Sequence, residues 1–330
     1  MDQLQGRAYA CLLAGLVGDA MGTPTENLEP AQIEERFGWV TEVSGAGTDD
    51  SLMKDLLSEA LVQTAGYATA DDWAAQITAQ QALIRERRDK FFPSILHLVA
   101  KLRYGYSPRE LTDGNMPSSS SAMAIAPVGI VNAGHPRAAS AQAQELASMI
   151  HTGAVGFCQD GAAAVAAAIA VAMQPGATVQ DTVNAATDYL KPTSGSLMRG
   201  LIQDAVSLAR ETGDYRAFRA AYHARFRQTI ACDSRETIPA TIAICLLADG
   251  DTVKAVEQGA NFGRDSDTIA TMTGAICGAL NGADGIPSAW TAQVPEAVVQ
   301  EQQRMAELLV KIGREKARQE IAAWQPLADS

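Results

Sequence analysis

The sequence contains few aromatic residues and little that is typical of β-strands. Aromatics make up 5% of its 330 residues, and alternating runs of Val, Ile and Tyr between turns are nearly absent. Alanine-rich stretches and apolar residues at helical spacing are frequent instead. This composition predicts an all-α protein.

Positive charge and cysteine are also scarce. The formal net charge of −12 argues against a surface adapted to nucleic acid or to an anionic membrane. The one dense basic cluster, residues 85–90, has interleaved acids and is typical of a solvated helix end, so we predict no function for it. An odd number of cysteines without CxxC spacing predicts reduced core residues in a cytoplasmic protein; they are Cys11, Cys158, Cys232, Cys245 and Cys277.

Long hydrophobic runs are missing as well. The longest, Gly161 to Met173, falls short of the ~20 residues of a membrane span and predicts a buried helix. The apolar segment from Ala8 to Val17 is not expected to be a signal peptide, because Asp2 weakens the basic leader. Asp19 also stands where a cleavage site should be small and neutral. We therefore expect neither secretion nor membrane insertion.

Apolar periodicity predicts a series of helices joined by short turns. The first is expected from Gln3 to Met21, a short one near Pro30 to Phe37, and a final amphipathic one from about Pro295 to Trp324. Thr69 and Asp72 form a predicted capping box, and the spacing of Gly274 and Gly278 predicts a close helix contact. The helices expected between these are 91–104, 136–150, 161–173, 178–190, 194–212, 237–247 and 251–261.

Two acidic couplets stand at opposite ends of the chain. Thr48-Asp49-Asp50-Ser51 and Asp265-Ser266-Asp267-Thr268 are each entered through glycine and followed by an apolar helical pattern. Either couplet alone could be a helix cap, because Thr and Asp are favoured caps and acids complement the helix dipole. Two couplets of the same construction favour a two-metal site. Ligands that are all oxygen suit Mg²⁺, Mn²⁺ or Ca²⁺ rather than zinc.

Three motifs together carry a family resemblance: residues 18–26 (GDAMGTPTE), 48–51 (TDDS) and 263–270 (GRDSDTIA). The chain resembles the ADP-ribosylglycohydrolase family, which includes the glycohydrolase that reactivates dinitrogenase reductase and the ADP-ribosyl-acceptor hydrolases. The resemblance covers essentially residues 3–282. It implies an orthogonal all-α fold around a binuclear Mg²⁺ or Mn²⁺ centre. It also implies hydrolysis of the glycosidic bond of an ADP-ribosyl group.

The resemblance also implies which residues form the site. Positions that match the family's metal ligands are Thr48, Asp49, Asp50, Asp265, Asp267 and Thr268. Ser51 replaces the commoner Thr and keeps a hydroxyl, and Glu26 matches an acid near the metals and the substrate. Two metals can hold the ribose diol and lower the pKa of a bound water, while Asp49 or Glu26 moves the proton. The sequence leaves open which of the two is the base.

The chain departs from the family pattern on the nucleotide side. Ser118 to Ser121 replace a Gly-Asn-Gly-type loop, and Ala124 stands where Arg is common. We expect Ser119, Ser120 and Ser121 to bind substrate, with a bland flexible loop as the alternative. Arg264 replaces a second Gly and either binds a substrate carboxylate or phosphate or pairs with an outer acid. His151 is expected to be structural rather than catalytic.

These features predict a metal-dependent glycohydrolase that cleaves an ADP-ribosyl bond on a protein or a small acceptor. The departures support an alternative, a binuclear-metal hydrolase of a nucleoside-like or other small N- or O-glycoside. A non-catalytic, crystallin-like relative would have eroded ligands, whereas all six ligand positions keep an oxygen-bearing side chain. Because the carboxylates come from both ends of the chain, we expect one domain over residues 1–330. No nucleic acid or membrane partner is expected, and the sequence leaves the oligomeric state open.

Overall fold

The computed structural model describes residues 1–328, and in that range the chain forms helices and short turns but no strands. This confirms the all-α prediction. The α-helices, in chain order, are α1 (Gln3–Gly22), α2 (Pro30–Phe37), α3 (Asp49–Gln63), α4 (Ala70–Ala79), α5 (Gln81–Glu86), α6 (Pro93–Arg103), α7 (Ala126–Val131), α8 (Pro136–Ala147), α9 (Phe157–Ala172), α10 (Val179–Asp188), α11 (Ser196–Thr212), α12 (Tyr215–Phe226), α13 (Ser234–Leu247), α14 (Thr252–Ala260), α15 (Ser266–Asn281), α16 (Ser288–Gln293) and α17 (Glu296–Ala328).

Local chemistry accounts for most helix ends. The predicted capping box of α4 is present, with the Thr69 backbone N–H donating to Asp72 Oδ2 at 2.8 Å. The helix expected from residue 91 begins at Pro93, whose fixed φ favours the first helical position. Asp233 caps α13, so this helix begins at Ser234 rather than residue 237. The short helices α5, α7 and α16 and the longer α12 were not predicted as separate elements.

Helices α1 and α15 pack backbone against backbone, and this contact brings distant parts of the chain together. A Cβ placed on Gly22 would lie 2.3 Å from the Cα of Asp267, so only glycine permits the approach. The predicted close contact at Gly274 and Gly278 is confirmed. Their added Cβ atoms would meet the carbonyl oxygens of Ala14 and Ala10 at 2.3 and 2.4 Å. The contact places the second acidic couplet beside the end of α1.

Helix α9 lies in the hydrophobic core. It begins at Phe157, earlier than the sequence predicts, and its alanines are almost all buried. Within residues 1–328, the stretch 153–172 is long and apolar enough to cross a membrane by length and composition, and 72% of its apolar window is buried inside the protein. That burial is typical of a core helix. All five cysteines are buried and unpaired.

Candidate metal centre and active site

Both acidic couplets meet in one narrow cleft, in which water can occupy about 20 Å³. The cleft lies where the first turns of α3 and α15 approach the loop that contains the serine run. Its lining residues are Glu26, Asp49, Asp50, Phe92, Ser119, Ser120, Met123, Cys232, Asp265, Asp267 and Thr268. Most of the site residues predicted from the sequence are therefore brought together; Thr48, Ser121 and Arg264 do not line the cleft.

Two buried carboxylate oxygens in the cleft accept no hydrogen bond from the described residues. They are Oδ1 of Asp50 and Oδ1 of Asp267. The Thr268 hydroxyl lies between the couplets, 3.4 Å from Asp50 Oδ2 and 3.2 Å from Asp265 Oδ1. A buried charged oxygen without a partner is costly, and a cation is the group that would satisfy it. These residues fit a metal ion.

A second observation points to the same chemistry. Glu26, Asp265 and Asp267 each offer one ligand atom, and these atoms lie within 4.8 Å of one another. Three carboxylates that converge from different parts of the chain suit a hard divalent cation such as Mg²⁺ or Mn²⁺. A helix cap needs no such convergence, so the capping explanation does not account for this arrangement.

Burial and mutual repulsion make these carboxylates hard to ionise without a counter-charge. Burial raises the pKa of Asp49 to about 7, and the charge of Asp19 adds to the effect. Burial also raises the pKa of Asp265 to about 7, although the hydrogen bond from Ser119 acts to lower it. Burial, followed by the charges of neighbouring aspartates, raises the pKa of Asp50 and of Asp267 well above the usual range. A bound cation would reverse this balance.

Asp19 holds the first couplet in place through hydrogen bonds to the start of α3, a role that the sequence did not predict. This fully buried carboxylate on α1 accepts four hydrogen bonds from the start of α3. The donors are the backbone N–H of Thr48 at 2.8 Å, the hydroxyl of Thr48 at 2.9 Å, the backbone N–H of Ser51 at 3.1 Å and the hydroxyl of Ser51 at 2.6 Å. The signal available in the sequence was one acid in the apolar second half of α1.

Gly47 allows the chain to pass close to Asp19. Its φ is +85°, and a Cβ at this position would lie 2.6 Å from Asp19 Oδ2. The turn before the first couplet therefore needs glycine for both its conformation and its space. The hydroxyl retained at Ser51 is explained by its bond to Asp19.

The serine loop is held in place by His151. Burial lowers the pKa of His151 to about 3, so its ring is neutral. Its two nitrogens lie 2.9 Å from the Ser118 hydroxyl and 3.0 Å from the Ser121 hydroxyl. Ser121 thus faces the histidine rather than the cleft, and these contacts argue against a flexible loop. His151 therefore orients the serine loop, which agrees with the structural role expected from the sequence.

Two serines of the loop reach the cleft. The hydroxyl of Ser119 donates to Asp265 Oδ2 at 2.9 Å, and the hydroxyl of Ser120 lies 2.6 Å from that of Ser94. Ser119 therefore orients a carboxylate of the second couplet. Ser120 is connected to the first turn of α6, which begins next to Phe92 of the cleft wall.

Arg264 is engaged with a buried acid instead of the cleft. Its guanidinium forms a two-point ion pair with Glu236 and donates to the carbonyl of Gln228 at 2.7 Å. Of the two roles open to Arg264, the structure shows the pair with an outer acid, because a buried carboxylate at Glu236 requires a counter-charge. Its backbone also pairs with Asn27 and Leu28, which holds the Glu26 segment beside the second couplet.

Three further cleft residues were not predicted as site residues. Phe92 donates its backbone N–H to Asp49 Oδ2 at 3.1 Å, and Met123 forms part of the wall. Cys232 is buried as expected, but it lines the cleft, and burial raises the pKa of its thiol with help from the charge of Asp265. Apolar residues carry no local sequence signal for such a position.

Comparisons with known proteins give consistent results. The family model described as ADP-ribosylglycohydrolase matches residues 1–320. The chain is 25% identical over 343 residues to a protein of Escherichia coli (strain K12) described as uncharacterized protein YegU, with 94% of this chain and 98% of that protein covered. An uncharacterized protein of Archaeoglobus fulgidus is 25% identical over 293 residues, with 85% of this chain and 88% of that protein covered.

A solved structure titled "ADP-ribosylglycohydrolase-related protein complex" has the same fold. Its TM-score is 0.71 at 20% identity, and the match covers 95% of this chain and all of that one. The range matched by the family model, residues 1–320, includes both acidic couplets and the serine loop.

Proposed function

The chain belongs to the ADP-ribosylglycohydrolase family and is a glycosidase of that family; from this premise we propose that it is a metal-dependent enzyme that cleaves the glycosidic bond of an ADP-ribosyl group. The acceptor is a protein or a small molecule. The observation that carries the proposal is the pair of unsatisfied, buried carboxylate oxygens on Asp50 and Asp267 inside the shared cleft.

The proposed metal ligands come from both couplets, and the ions are two Mg²⁺ or Mn²⁺. The ligands are Thr48, Asp49, Asp50, Asp265, Asp267 and Thr268. When bound, such ions supply electrostatic stabilisation, orient the ribose hydroxyls and lower the pKa of water. Thr48 lies at the edge of this set, and its hydroxyl donates to Asp19, which orients the oxygen.

Glu26 is the better candidate for the residue that moves the proton. It is only half-buried, and among residues 1–328 its carboxylate accepts a single hydrogen bond, from Asn27 Nδ2 at 3.1 Å. Burial raises its pKa above the usual range of a glutamate, which favours a role in proton transfer. Asp49 has one oxygen engaged by the Phe92 N–H and is almost fully buried. We therefore assign Asp49 to the metals and Glu26 to proton transfer.

The remaining cleft residues would position the sugar. Cleavage at the anomeric carbon builds positive charge on the ribose ring, so carboxylates around the cleft are suited to stabilise it. Ser119 and Ser120 offer hydroxyls at the cleft wall for the sugar or a phosphate. The apolar walls at Phe92 and Met123 would limit the entry of bulk water.

One observation favours the alternative substrate, a nucleoside-like or other small N- or O-glycoside. The volume of the cleft that water can occupy is about 20 Å³, far below the about 300–1,000 Å³ of sites that enclose a drug-sized ligand. A complete ADP-ribosyl group must therefore extend beyond the cleft. A small glycoside would leave less of its surface outside.

Product analysis separates the two substrates. The enzyme is incubated with ADP-ribosyl-arginine, ADP-ribosyl-serine and simple nucleosides, each with EDTA, Mg²⁺ or Mn²⁺. We expect ADP-ribose to be released from at least one ADP-ribosyl donor only when metal is present. Release of free base from nucleosides, with no ADP-ribose from any donor, would support the alternative and exclude the first proposal.

We further propose that residues 1–330 form one domain and that the enzyme acts in the cytoplasm. The cleft takes its carboxylates from residues 26–50 and 265–268, so neither half of the chain contains the complete site. The net charge of −12 gives no support for a nucleic acid or anionic membrane partner.

A further inference from the structure

The buried ion pair between Arg264 and Glu236 lies next to the cleft in the chain, and the proposed chemistry gives it no role. Glu236 is 1% exposed and Arg264 is 8% exposed. Two guanidinium nitrogens donate to the carboxylate, one of them to Oε2 at 3.0 Å. A two-point pair of this kind fixes the direction of both side chains as well as their separation. Arg264 directly precedes Asp265, so whatever fixes Arg264 also fixes the start of the second couplet.

The backbone of Arg264 holds the segment that carries Glu26. Its N–H donates to the carbonyl of Leu28 at 2.8 Å, and its carbonyl accepts the N–H of Asn27 at 2.6 Å. These two bonds form a short bridge directly after Glu26, whose ligand atom lies within 4.8 Å of those of both aspartates in the second couplet. The place of Glu26 beside the second couplet therefore depends on the place of residue 264.

The conformation of Arg264 needs support from its side chain. Its φ is +63°, in the left-handed region that residues with a Cβ rarely adopt. Such a conformation persists where surrounding contacts impose it, and it occurs most often at functional sites. The contacts here are the pair with Glu236 and a 2.7 Å hydrogen bond from the guanidinium to the carbonyl of Gln228. The ion pair therefore stabilises the turn that leads into the second couplet.

Glu236 extends the same network to the serine loop. Its carboxylate also accepts the backbone N–H of Gln228 at 2.7 Å, which ties together the two ends of the segment 228–236. Cys232, in the middle of this segment, lines the cleft, and its carbonyl accepts the N–H of Ser119 at 2.7 Å. One ion pair thus connects the Glu26 segment, the second couplet and the serine loop.

We propose that Arg264 and Glu236 are positioning residues, whose ion pair sets the place of Glu26 relative to the second couplet and the serine loop. Neither side chain lines the cleft, so both act through the backbone of the segments that they join. This inference rests on the proposed function, because it takes Glu26 as the group that moves the proton. Misplacing such a group by about 1 Å can cost about 10²-fold in rate. Loss of the pair should therefore reduce kcat and leave KM unchanged.

The test compares Arg264→Gly, Glu236→Gln and the double variant with Arg7→Gln. Glycine adopts positive φ freely, so Arg264→Gly removes the guanidinium without forcing the backbone to change. The double variant leaves no buried charge unpaired, and it folds even where a single variant does not. Arg7 is a half-buried arginine of α1 that donates to carbonyls of α9 and α15. It lies about 20 Å along α1 from the end near the cleft, so its variant controls for the loss of a partly buried guanidinium elsewhere.

Two kinds of measurement are made on the folded fraction of each variant. The first is kcat and KM in Mn²⁺, with the ADP-ribosyl donor or nucleoside that wild type hydrolyses. The second needs no substrate: amide hydrogen exchange at Asn27 and Ser119, whose N–H groups bind Arg264 and Cys232. We expect the double variant to lose about tenfold or more in kcat, with KM within about twofold. Exchange at both amides should be about tenfold faster, whereas Arg7→Gln should match wild type in kcat and at both amides.

The other outcomes would overturn the proposal. A folded double variant with wild-type kcat would make the pair a purely structural contact. A raised KM with unchanged kcat would indicate that Arg264 contacts substrate, and a lower kcat without faster exchange would exclude an effect through the backbone. If wild type hydrolyses none of the substrates, the proposed function fails, and the exchange measurement alone decides whether the ion pair holds these segments in place.

Discussion

The Asp19 carboxylate at the end of α1 accepts a 2.6 Å hydrogen bond from the Ser51 hydroxyl in the first turn of α3. Through this contact and three others, one buried acid determines where the first couplet stands relative to α15. Burial raises the pKa of Asp19, and the four hydrogen bonds oppose that rise. Asp19 is a positioning residue for the proposed metal ligands.

Asp19→Ala should weaken metal binding strongly and reduce stability. The substitution leaves the hydroxyls and N–H groups of Thr48 and Ser51 without an acceptor, at a cost of about 1–3 kcal/mol for each group left unsatisfied. Metal calorimetry and urea unfolding measure the two effects. Ser51→Thr, which keeps the hydroxyl, is the matched control and should bind metal like wild type. Unchanged metal affinity in Asp19→Ala would refute the positioning role.

Asp267→Ala should abolish activity and metal binding while leaving the helical signal largely intact. It removes a ligand rather than a core group, and the loss of one charge from a crowded set should make the metal-free protein more stable. Asp71→Ala is the control, because Asp71 is an exposed acid in the first turn of α4. If both variants behave alike, Asp267 is only a helix-dipole partner and the metal assignment is wrong.

Glu26→Gln should lower kcat by roughly 10²–10⁴ with most of the metal affinity retained, because the general acid–base group is lost but the couplets remain. Asp49→Asn should lose both activity and metal binding. Single-turnover rates and calorimetry on the two variants test this division of roles. Loss of metal binding in Glu26→Gln would instead make Glu26 a ligand, in agreement with its place beside Asp265 and Asp267.

The metal-free protein should lose stability as pH rises from about 4 to 7. The pKa values of Asp49 and Asp265 are raised to about 7 in the folded state, whereas in the unfolded chain these carboxyls titrate near the ordinary value of 3.8. Between pH 3.8 and about 7 the folded state therefore holds more protons than the unfolded state, so raising the pH favours unfolding. Thermal melts in EDTA at pH 5 and pH 8 should show the lower Tm at pH 8.

Added Mn²⁺ should reverse that trend. Metal competes with protons for the same carboxylates, so its affinity and its stabilising effect both increase as pH rises through 7. Parallel melts with Mn²⁺ across the same pH range measure this. A metal-free protein that becomes more stable from pH 5 to pH 8 would contradict the titration of this cluster.

Arg264→Gln should destabilise the protein by about 3–5 kcal/mol, because it leaves the buried Glu236 without its counter-charge. A double variant with Glu236→Gln should recover part of the loss. Urea unfolding measures both variants, and KM of the folded fraction should be close to wild type. A raised KM with unchanged stability would restore the substrate-binding role for Arg264.

Much of the fold follows from patterns that the sequence displays locally. Apolar spacing and caps placed the helices within a few residues, and Pro30–Phe37 has the predicted bounds. The spacing of Gly274 and Gly278 predicted a close helix contact, but it did not show that the partner helix is α1. Some helices begin earlier than the apolar pattern predicts, such as α9 at Phe157 and α13 at Ser234. A capping residue or a buried face extends these helices past their apolar residues.

The candidate site was less accessible from the sequence. The couplets were visible because their residue types are those of cation ligands, and Glu26 was identified because it ends a motif that resembles one of the family. The sequence could not show where Arg264 and Ser121 point, because a side chain's direction depends on partners that are distant in sequence, here Glu236 and His151. Phe92, Met123 and Cys232 are ordinary apolar or thiol residues, and only folding gives them a position on the cleft wall.

By itself, then, the sequence determined the all-α class, the order of the helices and the acidic residues that are able to hold a cation, since propensity, periodicity and ligand chemistry belong to short segments. Only the tertiary structure decided that the acids share one cleft and that Asp19 supports them. Those facts depend on the close packing of α1 against α15, which joins residues more than 200 positions apart.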